Sequence, residues 1–514
     1  MIEVRTNNSI KNSITSFLGN GVSFFIAFIS QAVFIRLLGA EFLGINGLFS
    51  NIISMLNIVE LGIGNAIVFN LYKPIADNDT NKISSIMIFY KKVYMFIACI
   101  ILVLGLSVMP FLKYIVKDVT IDVNIYFVFL LFLFSTLSSY FMVYKRNLII
   151  ANQQSYIINI IHMIYLVCLN IFQLILLFYT KNYYVYLIIK ILFQILENLV
   201  ISYISKRKYS YIDLKNYQKL DKKTENDIFG KVKALFFHKI GSVIVLGTDN
   251  ILISTFFGVI KVGIYSNYNV ILNAINTIFG QVITSCTASV GNLMTIDNIE
   301  KKYDVFCKIR FINFWISCFT SAALLVLIQP FISIWVGTKY LLEITVVIVL
   351  VINFYEKMQR QTYNTFKDSA GIWEEDKFVP IVESIINIVF SILFIYLFGF
   401  IGVFLGTMIS SCVLWFYSYP KYVYGKIFEK KIVNYYIEGF KYNIVFLIII
   451  MLVSIIAFYI KFENVYLCFI IRAIIVLLLP NMLIILIFKN DYNYKYVKIM
   501  IENLLNNVKG SFFK

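Results

Sequence analysis

The sequence predicts an all-α polytopic membrane protein of about fourteen transmembrane helices. Three observations carry that expectation. Apolar stretches of about 20 residues follow one another from end to end, the length a helix needs to cross a bilayer core. Only 14% of the 514 residues are charged against 60% hydrophobic, whereas soluble domains are about 25% charged. The lysines cluster in alternate connections, as sorting of positive charge to the cytoplasmic side requires.

In chain order the spans fall near residues 13–38, 43–70, 89–112, 123–144, 155–179, 183–205, 234–257, 264–293, 308–330, 341–364, 379–398, 400–420, 442–460 and 466–488. The connection at 399–400 reads as a tight hairpin, so one long helix there is the main risk to the count. With the N-terminus in the cytoplasm, the cytoplasmic ends and loops hold 35 Lys and Arg. The outer loops hold six: Lys113, Lys117, Lys181, Lys261, Lys339 and Lys461. Both termini are therefore expected in the cytoplasm. The first apolar run is full length and is preceded by polar Asn7–Asn12, so no cleavable signal is expected.

The formal charge of +17 could suggest nucleic acid. Its alternation between loops assigns it to membrane topology instead, and no nucleic-acid partner is expected. The seven cysteines are dispersed without a CxxC pair and read as small apolar residues. No P-loop, HExxH or GxSxG motif and no cluster of zinc ligands is present. No catalytic residue, metal or cofactor is expected, and the chain does not read as an enzyme. Scarce arginine with abundant Lys, Ile, Asn and Tyr fits an AT-rich bacterial genome, and a bacterial plasma membrane is the expected location.

A weak internal repeat divides the chain. Gly39-Ala-Glu-Phe-Leu-Gly44 joins the first two spans and Gly258-Val-Ile-Lys-Val-Gly263 the seventh and eighth, at an offset of 219. Pro110-Phe111 and Pro330-Phe331 recur at 220. A six-plus-six duplication follows, with both halves in one orientation. The expected organisation is a six-helix bundle at 1–205, a basic cytoplasmic linker at 206–233, a second bundle at 234–430, and two further spans with a basic tail at 431–514.

Polar residues recur on single helical faces inside the spans. Span eight carries Asn269, Asn273, Asn276, Gly280, Thr284, Thr287 and Gly291. Span one carries Ser16, Gly19, Ser23, Ala27 and Ser30; span five Asn159, His162, Asn170 and Gln173; span eleven Glu383, Asn387 and Ser391. Each stripe reads either as helix–helix glue or as the lining of a wet cavity. Ionisable groups at mid-depth cost about 3 kcal/mol or more and need a reason. Glu60 and Asp249 are candidate carriers of a coupling proton or cation. Lys190 and Glu197, with Gln194 between them, read as an internal salt bridge, and Glu356 with Arg360 as a helical ion pair. Arg36 and Lys239 lie near span ends, where snorkelling competes with a functional role. His238, Ser242 and Asp249 share one face of span seven, and Lys239 and Asn250 another. Arg472 reads as snorkelling or structurally partnered. Arg36, Lys239, Asn250, Asn269, Asn273, Asn276 and Arg360 are the candidate substrate-binding residues.

Several segments resemble the polysaccharide (Wzx-type, O-antigen) flippases of the multidrug/oligosaccharidyl-lipid/polysaccharide exporter superfamily. They are Phe34–Gly44, Val59–Ile67 with Leu71-Tyr-Lys-Pro74, Thr248–Ser254 with Gly263–Tyr268, and Ala370-Gly-Ile-Trp373 with Asp376-Lys377. The resemblance runs from about residue 10 to 425. It implies two six-helix bundles around a central cavity. It also implies translocation of an undecaprenyl-diphosphate-linked oligosaccharide to the outer leaflet by alternating access, coupled to H+ or Na+. By position it makes Arg36, Asp249 and Arg360 cavity or gate residues, with Lys239 sharing the cationic role. Membrane lipid and the polysaccharide polymerase machinery would be its partners. The alternatives are a multidrug–cation antiporter, a lipid II flippase and a membrane glycan polymerase. Fourteen spans favour a glycan flippase over a drug exporter, and the short outer loops count against a polymerase.

Overall fold

The computed structural model describes residues 2–60, 63–117, 119–212, 247–372, 375–460 and 464–512, and among these the regular structure is entirely helical. Lipid offers an exposed backbone no hydrogen-bond partner, so each apolar stretch satisfies its own amides as a helix. The helices are α1 (Ile2–Leu38), α2 (Ala40–Leu56), α3 (Ile63–Ala76), α4 (Thr80–Val108), α5 (Ile125–Tyr140), α6 (Val143–Ala151), α7 (Ser155–Thr180) and α8 (Tyr183–Lys208). Next come α9 (247–257), α10 (Val259–Thr284), α11 (Thr287–Met294), α12 (Ile299–Trp335), α13 (Ile344–Ser369), α14 (Val379–Phe398) and α15 (Ile401–Val413). A π-helix, Leu414–Ile427, continues α15, and α16 (Ile432–Tyr459), α17 (Val465–Phe488) and α18 (Tyr492–Phe512) complete the chain.

Asparagine or aspartate starts several of these helices. The side chains of Asp79, Asn124, Asn182, Asn298 and Asn464 each accept a backbone N–H from the first turn. Glycines with positive φ end others. Gly399, at φ 69°, splits α14 from α15, so the expected tight hairpin there is two helices and not one.

Among the described residues, ten helices are long and apolar enough to cross a membrane, or eleven counting α5 and α6, which meet at a 45° bend, as one span. The expected fourteen are not reached, for three identifiable reasons. The second span is a 17-residue helix followed by a 3-10 turn at Asn57–Glu60. The tenth, α13, holds Glu356, Lys357 and Arg360 in its middle. The seventh lies mostly outside the described residues.

The chain divides into two compact units, Met1–Ser266 and Asn267–Lys514, with the division inside α10. In the first unit Phe49 on α2 meets Phe129 and Phe132 on α5 edge-on, at 5.3 and 5.8 Å between ring centroids. In the second, the last two spans pack on α12. Phe311, Phe314, Cys318 and Ala322 form one wall, with Phe446, Ile449 and Val453 of α16 and Val476, Ile484 and Phe488 of α17 opposite. That apolar seam makes the appended spans part of the second unit's core.

Candidate functional site

At one end of the first unit, the two repeat-related hairpins pack against each other. Gly39 (φ 92°) and Gly258 (φ 82°) make the turns, a backbone conformation that costs other residues energy. A Cβ on Gly44 would stand 2.0 Å from the Val259 carbonyl oxygen, and one on Gly263 1.9 Å from that of Ala40. Only glycine permits that approach. The segment that follows α4 joins the seal: Ser254 Oγ donates to the Ile115 carbonyl at 2.6 Å, and Val259 N–H to that of Lys117 at 3.3 Å. Glu41, buried, accepts from the Thr120 N–H at 2.5 Å, its hydroxyl at 2.8 Å and the Ile121 N–H at 3.2 Å. Glu41 stood in the hairpin motif, but nothing in the sequence announced its partner loop.

Two candidate residues lie along α9 below this seal. Asn250 is 4% exposed and its Oδ1 has no hydrogen-bond partner among the described residues. Asp249, half-buried, is within electrostatic range of Tyr265 on α10. Arg36, in the last turn of α1, is exposed. Lys239, His238, Ser242 and most of the 206–233 linker lie outside the described residues.

The polar stripes separate into glue and open surface. The α1 and α7 stripes meet where Ser30 donates to Asn170 at 2.5 Å, and neighbouring polar residues add to the seam: Asn12 bonds to Gln153 and Tyr156, and Asn159 to Thr15. On α14, Asn387 donates to Thr407 and Ser391 to the Val403 carbonyl. The α10 stripe differs. Asn273 donates to Asn269 at 2.9 Å, and Asn273, Thr277 and Thr284 remain exposed. The exposed apolar residues of that helix, Ile260, Ile278 and Val282, lie on another side, as lipid-facing residues should. Asn276 accepts from Gln361 of α13 at 3.1 Å, where Gly280 gives Gln361 room.

Buried charge gathers at two further places. Glu60 lies within electrostatic range of Tyr94 and Tyr140. Those tyrosines in turn bond to Asn147 and Asn57, at 3.1 and 3.0 Å. In the second unit Arg360 bridges Glu356, one turn away on its own helix, and Glu383 of α14, the latter at 2.6 Å. Trp415 Nε1 donates to Glu356 at 2.6 Å. One guanidinium between two carboxylates leaves the cluster one negative charge in excess. The helical pair was legible from its spacing, whereas the third member from span eleven and the tryptophan were not.

The expected Lys190–Glu197 bridge is not formed. Lys190 stands 5.4 Å over the Phe132 ring, and Gln194 accepts from Ser135. Glu197 pairs across helices with Arg146 and His162, partners no local spacing could reveal. Arg472 donates to the Ile460 carbonyl at 3.0 Å, a structural partner at the end of α16.

Residues 9–287 match the model of one protein family, described as polysaccharide biosynthesis protein. The chain belongs to that family. Among solved structures, it is similar to the lipid II flippase MurJ in an inward closed conformation, with 15% identity over 94% of this chain and 99% of that one and a TM-score of 0.64. It is also similar to a multidrug resistance MATE family transporter of the MOP superfamily, inward-facing, with 15% identity over 76% and 91% of the two chains and a TM-score of 0.59. A mutant form of the Vibrio cholerae MATE transporter VcmN aligns at 12% identity over 83% and 99%, with a TM-score of 0.53. No curated protein matches. The fold is the one shared by these transporters and the flippase.

Proposed function

We propose that this chain moves undecaprenyl-diphosphate-linked oligosaccharide repeat units from the inner to the outer leaflet of a bacterial plasma membrane, by alternating access coupled to H+ or Na+. One observation carries the reading: the glycine-sealed end at Gly44 and Gly263, with an uncovered amide face further along the same α10. Tight backbone closure at one helix end and exposed amide side chains along the helix are what an alternating-access carrier of a sugar headgroup needs. The excess of Lys and Arg on the other side (35 against six) supports a seal on the outside with the termini in the cytoplasm. The family match supports a polysaccharide substrate over a drug.

On this reading the two bundles are 1–205 and 234–430, joined by a cytoplasmic linker at 206–233, with 431–514 appended. Asn269, Asn273, Asn276 and Asn250 offer hydrogen bonds to sugar hydroxyls. Arg36 and Lys239 supply cationic charge for the diphosphate, and Glu60 and Asp249 are positions for the coupling ion, whereas Arg360 is already neutralised by Glu356 and Glu383. The polymerase machinery would take up the flipped unit. A lipid II flippase is the second reading, favoured by similarity to MurJ that extends over the appended spans.

Deleting the gene tests the proposal. Loss of surface polysaccharide, with lipid-linked oligosaccharide held on the cytoplasmic side, is the expected result. Unchanged surface glycan with new sensitivity to cationic dyes would point instead to a drug–cation antiporter.

A further inference from the structure

Three side chains from three helices meet inside the first unit. Glu197 of α8 is 8% exposed. It accepts from Arg146 Nη2 of α6 at 2.6 Å and stands 3.0 Å from His162 Nδ1 of α7. Tyr165 stacks on the imidazole at 5.5 Å between centroids, and the Arg146 Nε is buried without a partner among the described residues.

The position of His162 on its helix is the informative point. Ile160, Ile164, Val167 and Ile171 are the exposed apolar face of α7. His162 lies on the opposite side, which also carries Ile158, Leu169 and Gln173, all buried. Yet its side chain keeps 46% of its accessible surface. The imidazole is therefore accessible on a side other than that apolar face.

The charged surroundings are few. Between Lys11 and Arg36, α1 has no charged residue. Two turns from Glu197, α8 adds Lys190, held over Phe132. Beside Arg146, α6 adds Lys145, which donates to Ser202 at 2.5 Å. With His162 neutral, Arg146 and Glu197 cancel.

We propose that Arg146, His162 and Glu197 form a proton-binding site, with His162 as the carrier. A neutral imidazole donating from Nδ1 to Glu197 leaves the Nε2 lone pair free on the same ring. A hydronium ion reaching the exposed side of the ring gives its proton to Nε2 and leaves as water, and that transfer itself breaks no existing hydrogen bond. The cluster then carries one positive charge, and the imidazolium competes with Arg146 for a single carboxylate. Proton arrival thus weakens the hold of Glu197 on Arg146. Use of this step in transport rests on the flippase reading; the proton site itself does not.

Histidine NMR tests the site without substrate. The chain has two histidines, so 15N-histidine labelling of the full chain in nanodiscs, in a His238→Gln background, isolates His162. The expected result is a reversible titration between about pH 5 and 8, where imidazoles change charge. Its midpoint should move in opposite senses in Glu197→Gln and Arg146→Gln. A signal constant across that interval, or a midpoint indifferent to Glu197→Gln, overturns the proposal. If His238→Gln does not fold, subtracting the His162→Gln spectrum from that of the unaltered chain assigns the same signal. In proteoliposomes, His162→Gln should bring the ratio of flipping rates between the ends of that interval to about one. An unchanged profile overturns the transport role. Absence of flipping by the unaltered chain at every pH would remove the flippase reading and leave the titration standing.

Discussion

Replacing Gly263 with alanine is the sharpest perturbation the structure offers. Its Cβ would lie 1.9 Å from the Ala40 oxygen, 2.8 Å from the Ala40 carbonyl carbon and 3.1 Å from the Gly44 nitrogen. Close carbon–oxygen contacts begin at about 3.3 Å, so the two backbones must separate by about 1.4 Å. Overpacking of this kind costs about 1–3 kcal/mol, and only the sealed conformation incurs it. The equilibrium should therefore move toward the unsealed state by about 5- to 150-fold. Gly44→Ala should act alike, its Cβ being 2.0 Å from the Val259 oxygen. Gly19→Ala is the control, since nothing lies within 4 Å of its Cβ position. In a cysteine-free background, Val262→Cys provides a reporter that is 0% exposed. An impermeant maleimide applied from outside should label it at least about 5-fold faster in the Gly263→Ala chain, with membrane abundance retained. Unchanged labelling at normal abundance would refute the reasoning, as would a loss of protein without faster labelling.

The charge clusters and stripes give further expectations. Arg360→Gln leaves Glu356 and Glu383 buried without their cation and should destabilise the chain by about 3–5 kcal/mol. Adding Glu383→Gln should recover part of the thermal unfolding temperature in detergent. Asn387→Leu removes a helix–helix bond and should lower membrane abundance, whereas Asn273→Leu should keep abundance and lower flipping. Asp249→Asn and Arg36→Ala should each impair complementation of a deletion strain at near-normal abundance. If Arg36 only snorkels, Arg36→Lys will be silent.

The helices themselves were legible because lipid imposes one rule on every span: long, apolar and self-satisfied. The expectation weakened where a span departs from that rule, as at the 3-10 turn before Glu60 and the charged middle of α13. The Gly39 and Gly258 hairpins were visible as a repeat at one offset. That each copy packs on the other was not, because sequence similarity between segments does not encode contact between them. The stripes on α1, α7, α10 and α14 looked alike in spacing. Only neighbours decide that Ser30 meets Asn170 while Asn273 meets no other helix's side chain among the bonds described. The Glu197 ion pair shows the same limit: a seven-residue spacing suggested Lys190, and the actual donors come from residues 146 and 162 on other helices.

Reconstitution tests the central claim most directly. Purified chain is placed in proteoliposomes carrying undecaprenyl-diphosphate-linked oligosaccharide with a fluorescent sugar, and an impermeant quencher or glycosidase is added outside. The account predicts that the protein makes the inner-leaflet pool accessible, and that the Gly263→Ala chain does so at an altered rate. Accessibility equal to protein-free liposomes, in a preparation that retains its helical content, would contradict it.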